Sequence, residues 1–371
     1  MKLFDTLKEA VNASLYSPAD VTTGSVHVRD SINHKRVMSI IMLALLPCIL
    51  MAMWNSGYQA NLTLNQMLAA GQIDVLPGLS DSTSLCANIT KGLWIFLPLL
   101  VVTMLTQAVW VAVFASMRKK RIGSGFLVTS VLIVLLMPPT APLWQVALAT
   151  SFGVVIGREI FGGTGMNFLS PALVAWAFMT LAYSGSISGD AVWTAVDGYT
   201  GATPLAMALN DGVSSLAAQG ISWQAAFLGT IPGTLGETST LACLFGAVIL
   251  LVTGIASWRI IVSILIGVVA LSSILCMFNP EAMSPAWHLV LGGLAFGVVF
   301  LATDHSASAM TVKGQWISGI LIGLLIVIVR VFNPMMPESV GIIILFGSVL
   351  APLVDRLVVN AHIKKRKLRH V

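Results

Sequence analysis

Polar residues gather into short clusters along this chain. Between them, apolar residues run on without the alternation of a strand or the one-sided stripe of a soluble helix. Ten such apolar segments cover 36–54, 92–116, 125–138, 142–158, 168–184, 239–257, 260–278, 286–303, 315–332 and 339–357. Most approach or exceed the ~20 residues that carry a helix across a hydrocarbon core. The pattern predicts an all-α polytopic membrane protein with about ten transmembrane helices. The start, MKLFDTLKEAVNASLYSP, has neither a continuous apolar core nor a signal-peptide cleavage site. Its Leu3, Phe4, Leu7, Val11 and Leu15 recur at helical spacing, so residues 1–34 are predicted to hold an amphipathic helix lying on the cytoplasmic membrane surface.

Composition sharpens this picture. The 371 residues are 57% hydrophobic and 9% charged, with a mean hydropathy of +0.90. A soluble domain carries roughly 25% charged residues, so water is not the main solvent here. Lys and Arg stay on the cytoplasmic side of a membrane. Ten spans with both termini inside leave only Lys91 and Arg330 of the 20 basic residues at outer ends. The outer loops then carry Asp74, Asp81, Asp190, Asp197, Asp211, Glu281 and Glu338. The net charge of +5 is accordingly a membrane asymmetry and not a nucleic-acid footprint. The four cysteines form no CxxC pair, and those inside apolar runs read as small hydrophobes.

Several segments are short or broken. The third stops at MPPTAP (137–142) and the eighth at ATDHSAS (302–308). Interruptions at corresponding places in two halves predict two inverted five-helix repeats, 35–184 and 239–359. Between them lies an outer loop, 185–238, with a short re-entrant segment, and a basic tail follows at 360–371. Ordinary helices kinked by proline and glycine are the alternative.

That outer loop contains DGYTGATPLA, Asp197 to Ala206. Thr203 followed by Pro204 and an apolar run is a good helix start, a hydroxyl cap with proline at the first helical position. This leaves the preceding Asp-x-x-Thr-Gly-Ala unexplained. A helix N-terminus also favours phosphate. A threonine there suits esterification by a phosphate-bearing cofactor, with Gly201 and Ala202 leaving room for a modifying enzyme and Asp197 orienting that enzyme or its metal.

DGYTGAT resembles the D-x-x-[ST]-G-A-T site at which a flavin transferase attaches FMN to the last threonine. The stretches HVRDS (27–31), PPTAPLWQ (138–145), FGGTGMNFLSPAL (161–173), GDAVWTAVDGYTGAT (189–203), IPGTLGE (231–237), IASWRII (255–261), WHLVLGGLAFGVVFLATD (287–304) and VLAPLVD (349–355) extend the likeness over nearly the whole chain. The family it resembles comprises the B subunits of sodium-translocating NADH:quinone oxidoreductases and the related D subunits of Rnf complexes.

The resemblance implies covalent FMN on Thr203 and electron transfer through a riboflavin to quinone, with sodium driven outward across a bacterial inner membrane. It implies a six-subunit redox complex as partner. Another of its subunits would oxidise NADH, because no G-x-G-x-x-G follows a strand here. Asn167 is the candidate riboflavin contact, and Ser170 stands where the family motif has a second asparagine. Asn167 reads equally as a cap of the fifth span. Quinone is expected between the surface helix and the basic turn RKKRIGSGFL (118–127), with Arg118, Phe126 and Leu127 against it; the same turn reads as a plain positive-inside anchor. Glu159, Glu237, Asp304 and Asp355 are intramembrane candidates by default. Asp304 and Asp355 are placed on a Na+ path, although Asp355 beside Arg356 equally suits an ion pair. The chain departs from the family at Gln107, Ala108 and Val111, where members carry Gly-Gly and then glutamate, and at His305, where a proline is common. A rival of another class is a flavin-free pore resembling urea transporters, in which DGYTGAT is only a cap.

The charge pattern has a direct test. A Ser214→Cys variant should react with an impermeant thiol reagent in whole cells, above the background of the native cysteines. Labelling that needs cell lysis would reverse the orientation.

Overall fold

The structure is a computed structural model describing residues 34–72, 81–118, 125–187, 190, 192–279, 282–304, 306–333 and 337–368. The amphipathic start and most of the basic turn lie outside these residues. The described chain is helical, without a strand among the described residues. Five helices are long and apolar enough to cross a membrane: α1 (His34–Ala69), α2 (Leu85–Arg118), α10 (Trp258–Phe278), α13 (Val312–Phe332) and α14 (Val340–Lys367). Shorter apolar helices are α3 (Phe126–Leu136), α4 (Leu143–Val154), α5 (Pro171–Ala182) and α9 (Thr240–Val252). Between the halves lie α6 (Pro204–Asn210), α7 (Val213–Ala218) and α8 (Trp223–Leu228), and α11 (Pro285–Val290) and α12 (Leu294–Phe296) follow α10.

Helix α1 runs well past the apolar segment that ends at residue 54. The extension holds Asn55, Gln59, Asn61 and Thr63, all of them buried. Asn55 donates to the Ile231 carbonyl at 2.9 Å, Gln59 to that of Thr230 at 3.0 Å, and Asn61 to Asn88 Oδ1 at 2.8 Å. A hydropathy reading ends a span at such residues, whereas the fold pairs them internally. Helices α1 and α2 close against each other at Gly57 and Gly92. A Cβ at Gly57 would run into the Asn88 carbonyl, and one at Gly92 into that of Met53. Small residues of this kind let helix backbones approach where lipid supplies no hydrophobic drive between them. Across the halves, α1 meets α9, and the buried Cys48 and Cys243 thiols stand 3.9 Å apart, consistent with their reading as small apolar groups.

Helix α3 has 11 residues, which is about 16 Å and half a bilayer. It stops before Pro138–Pro139, and its last carbonyls would be orphaned. Leu135 instead accepts from Gly236 N–H at 2.7 Å and Met137 from Leu235 N–H at 3.2 Å. The second break falls inside the eighth segment, at Leu291–Gly292–Gly293, and not only at its end. Gly292 and Gly293 have φ of 69° and 67°, a conformation costly for any residue with a Cβ. Here the freed carbonyls accept from Arg330, which is fully buried in α13. Its Nη1 donates to His288 at 2.9 Å, and its Nη2 donates to Leu291 and Gly292 at 2.8 Å each. This gives the buried basic residue near the end of α13 its structural role.

Both broken regions also share a pattern. Pro142-Leu-Trp144 leads to Phe152-Gly-Val-Val155, and Pro285-Ala-Trp287 leads to Phe296-Gly-Val-Val299. Each then enters a π-helical turn, Val155–Glu159 or Gly297–Leu301.

Arg330→Met keeps the length and removes every donor. The variant should lose roughly 3–5 kcal/mol of stability, the range for stranding buried polar partners, read as an earlier thermal transition of tryptophan fluorescence in detergent. An unchanged transition would mean that the three carbonyls find other donors.

Candidate functional site

Polar side chains inside the bundle collect at its two ends. Helix α13 measures their separation. Thr311, at its start, contacts Asp355, and Arg330, near its end, holds the Leu291 break. Nineteen residues at ~1.5 Å each place these ends about 28 Å apart.

At the Arg330 end, Thr203 caps α6. Its φ of −69° and ψ of 151° are extended, and its hydroxyl accepts from Ala206 N–H at 3.2 Å. The same hydroxyl faces the Glu338 carboxyl across a cavity that both residues line. Thr203 is 3% exposed, whereas Thr200, Asp197 and Gly198 are exposed. Gly201 donates to the Asp190 carbonyl at 2.7 Å and lies under the Tyr199 ring; Ala202 is half-buried beside it. Helix α6 has only seven residues, so its dipole adds little. Glu338 is the decisive neighbour of the hydroxyl. Removal from water pushes the Glu338 carboxyl up to about 8, with Glu237 adding to the rise; Thr203 and Arg330 oppose it. Desolvation likewise pushes Glu237 up to about 7, against the 2.6 Å bond it accepts from Thr234 and the charge of Arg330. Thr203, Thr234, Thr238, Glu237, Glu338 and the Leu291–Gly293 turn line one small cavity of about 20 Å³.

At the other end lies a cavity of about 360 Å³, which suits a small organic ligand. Val37, Met38, Leu132, Leu250 and Phe300 form its apolar wall, and Arg158, Asn167, Ser170, Thr303 and Asp304 are among its polar groups. Asn167 is not the helix cap that the pattern allowed. Ser170 occupies the N-cap of α5, and Asn167 donates to Leu169 O at 2.8 Å and to Ser306 Oγ at 3.2 Å, joining the two halves. Asp304 accepts from Ser306 N–H at 3.1 Å and Ser306 Oγ at 2.9 Å.

Asp355 forms no ion pair with Arg356. Its carboxylate accepts from Met310 N–H at 2.7 Å and Thr311 N–H at 3.0 Å, sealing the start of α13. Asp304 and Asp355 thus share an end of the bundle, each engaged with its own loop. Glu159 sits between Arg118 and Arg158, 3.0 Å from each, and Arg118 also covers the Phe114 ring at 5.1 Å. Phe126 and Leu127 begin α3, half-buried, beside the cavity-lining Gly125 and Val128. Gln107, one of the departures, accepts from Ser130 Oγ at 2.7 Å. The residues missed by sequence reasoning are Arg330, Glu338 and Ser306. A lone arginine ending an apolar run on the acidic side was the available signal for the first.

Comparison with known proteins places the chain in a family. The model of the NQR2, RnfD, RnfE family matches residues 21–364. A protein of Stutzerimonas stutzeri (strain A1501) is 48% identical over 98% of this chain and 94% of its own length. One of Azotobacter vinelandii is 49% identical over the same shares, and one of Pseudomonas aeruginosa (strain LESB58) is 47% identical, again over 98% and 94%. All three are named as the B subunit of a Na(+)-translocating NADH-quinone reductase.

Proposed function

The chain belongs to the NQR2, RnfD, RnfE family, and from that premise we propose that it is the membrane subunit of a sodium-pumping NADH:quinone oxidoreductase. In this reading it carries FMN on Thr203, relays electrons through a riboflavin to quinone, and couples the transfer to Na+ export. The names of the relatives favour this branch over the D subunit of an Rnf complex. The observation that carries the proposal is the pair of polar sites at opposite ends of the bundle. One is a threonine in DGYTGAT whose hydroxyl faces a carboxyl, and the other is a flavin-sized cavity bordered by Asn167 and Ser170.

The flavins, when bound, supply the electron chemistry; the protein supplies attachment, spacing and a dry surrounding. Thr203 would contribute the oxygen of the phosphodiester, displacing the group that the flavin phosphate carries on its donor, and its proton would leave with that displaced group. Being 3% exposed, Thr203 is modified with residues 197–203 lifted from their seat, where the flavin transferase has access. Asn167, Ser170 and Thr164 offer polar contacts to a ring lying against Phe300 and Leu132. Arg118, held by Glu159, borders the quinone entrance with Phe126 and Leu127, and the basic turn and amphipathic start complete it. In this reading the chain forms two inverted five-helix repeats, ten helices in all, although the recurring Pro-x-Trp and Phe-Gly-Val-Val segments are out of register with that pairing. That recurrence relates the fourth segment of the first half to the third of the second. Both termini lie in the cytoplasm of a bacterium, the chain sits in the inner membrane, and five further subunits complete the complex.

Thr203→Val keeps the shape and removes the oxygen, so in-gel flavin fluorescence of the denatured chain should vanish, while Thr200→Val should keep it. The opposite result would move the attachment to Thr200. Phe126→Ala should raise the apparent KM for quinone severalfold with flavin content unchanged, because lost ground-state binding appears in KM before kcat. Unchanged quinone kinetics would place the entrance elsewhere.

A further inference from the structure

The charges behind Thr203 do not balance. From α13 comes one guanidinium, Arg330, and from two connecting segments come two carboxylates, Glu237 and Glu338. The other titratable groups in reach are Cys243 on α9 and His288 on α11, and the latter's carbonyl is bound to Arg330. With both carboxylates ionised the group carries one negative charge in excess, and burial opposes that state by raising both carboxyls, so the group is neutral only when one keeps its proton or one more positive charge takes the proton's place.

The space for that charge is present. The cavity of about 20 Å³ bordered by both glutamates has room for about one water or a single small ion. Its lining is mostly apolar but includes the side-chain oxygens of Glu237, Glu338, Thr234 and Thr238, and Thr238 is the telling member. That side chain is 4% exposed and its hydroxyl has no hydrogen-bond partner. A buried hydroxyl without a partner costs roughly 1–3 kcal/mol, a cost removed when its oxygen ligates a cation. Carboxylate and hydroxyl oxygens suit hard cations, and an excess of one negative charge matches a monovalent one.

We propose that Glu237, Glu338 and the hydroxyls of Thr234 and Thr238 bind one monovalent cation, Na+, directly behind Thr203. Only the identity of the cation rests on the sodium-pump reading. Esterification of Thr203 by a flavin phosphate brings a further negative charge to the edge of the cavity and replaces the hydroxyl that faces Glu338. Attachment therefore tightens Na+ binding, and by linkage Na+ favours the attached state to the same extent.

The test is 22Na+ binding to the purified intact complex, native and with Thr238→Val, Glu237→Gln or Glu338→Gln, with in-gel flavin fluorescence read on each. Thr238→Val breaks no hydrogen bond, so it should fold as the native chain does. It should weaken one Na+ by about tenfold or more, the scale of a lost metal-site partner, and each glutamine variant should abolish that ion. Na+ number and affinity unchanged in Thr238→Val and in the folded glutamine variants would overturn the site. A native chain without fluorescence whose Na+ still weakens in Thr238→Val would sink the flavin reading and leave the cation site standing.

Discussion

The structure depends on how it pairs the backbone groups that two broken helices set free. Inside a bilayer an unpaired carbonyl costs several kcal/mol, so irregular backbone survives only where protein or enclosed water satisfies it. At the first break, backbone N–H groups of residues 235 and 236 take the carbonyls of Met137 and Leu135. At the second, one arginine takes three carbonyls with two of its nitrogens. An arginine suits this task because its planar fork reaches several acceptors from one buried position.

Those two repairs share a neighbourhood. The segment from Ile231 to Ser239 is pinned to the first break by its backbone, and its Glu237 carboxyl lies over Gly293 of the second. A carboxylate in that position answers the charge that Arg330 brings, and Glu338 joins it from the start of α14. Thr203 then faces groups assembled to hold the fold. The chemistry offered by DGYTGAT and the architecture of the breaks thus meet at one small cavity. The opposite end is organised differently. A salt-bridged Arg118–Glu159–Arg158 group and an Asn167–Ser306 bond across the halves frame a larger and mostly apolar cavity. The first end is built around charge and the second around volume.

Much of this was legible in the chain. Long apolar runs have few physical outcomes, so α10 and α13 lie close to the segments 260–278 and 315–332. The cap at Thr203 was equally legible, because a hydroxyl before proline and an apolar run is a local signal that needs no distant partner. Helix α1 was not, because the burial of Asn55, Gln59 and Asn61 is arranged by residues far along the chain, such as Thr230 and Ile231. For the same reason one of the two readings of Asp355, an ion pair with Arg356, fails, because its carboxylate is turned to the loop before α13.

Taken alone, the sequence determined that the chain is helical and lies in a membrane, which of its ends gather positive charge, and which threonine stands in the attachment motif. These follow from composition and from contacts a few residues apart. Tertiary structure alone decided that Arg330 closes a helix break, that Glu338 and Thr203 border one cavity, and that Asn167 bridges the halves and does not cap a helix. Each of these joins residues 38 or more positions apart, as Arg330 and Gly292 do at the least. Such pairings satisfy buried polar groups that have no local partner, and only the folded arrangement determines which distant atom arrives to do so.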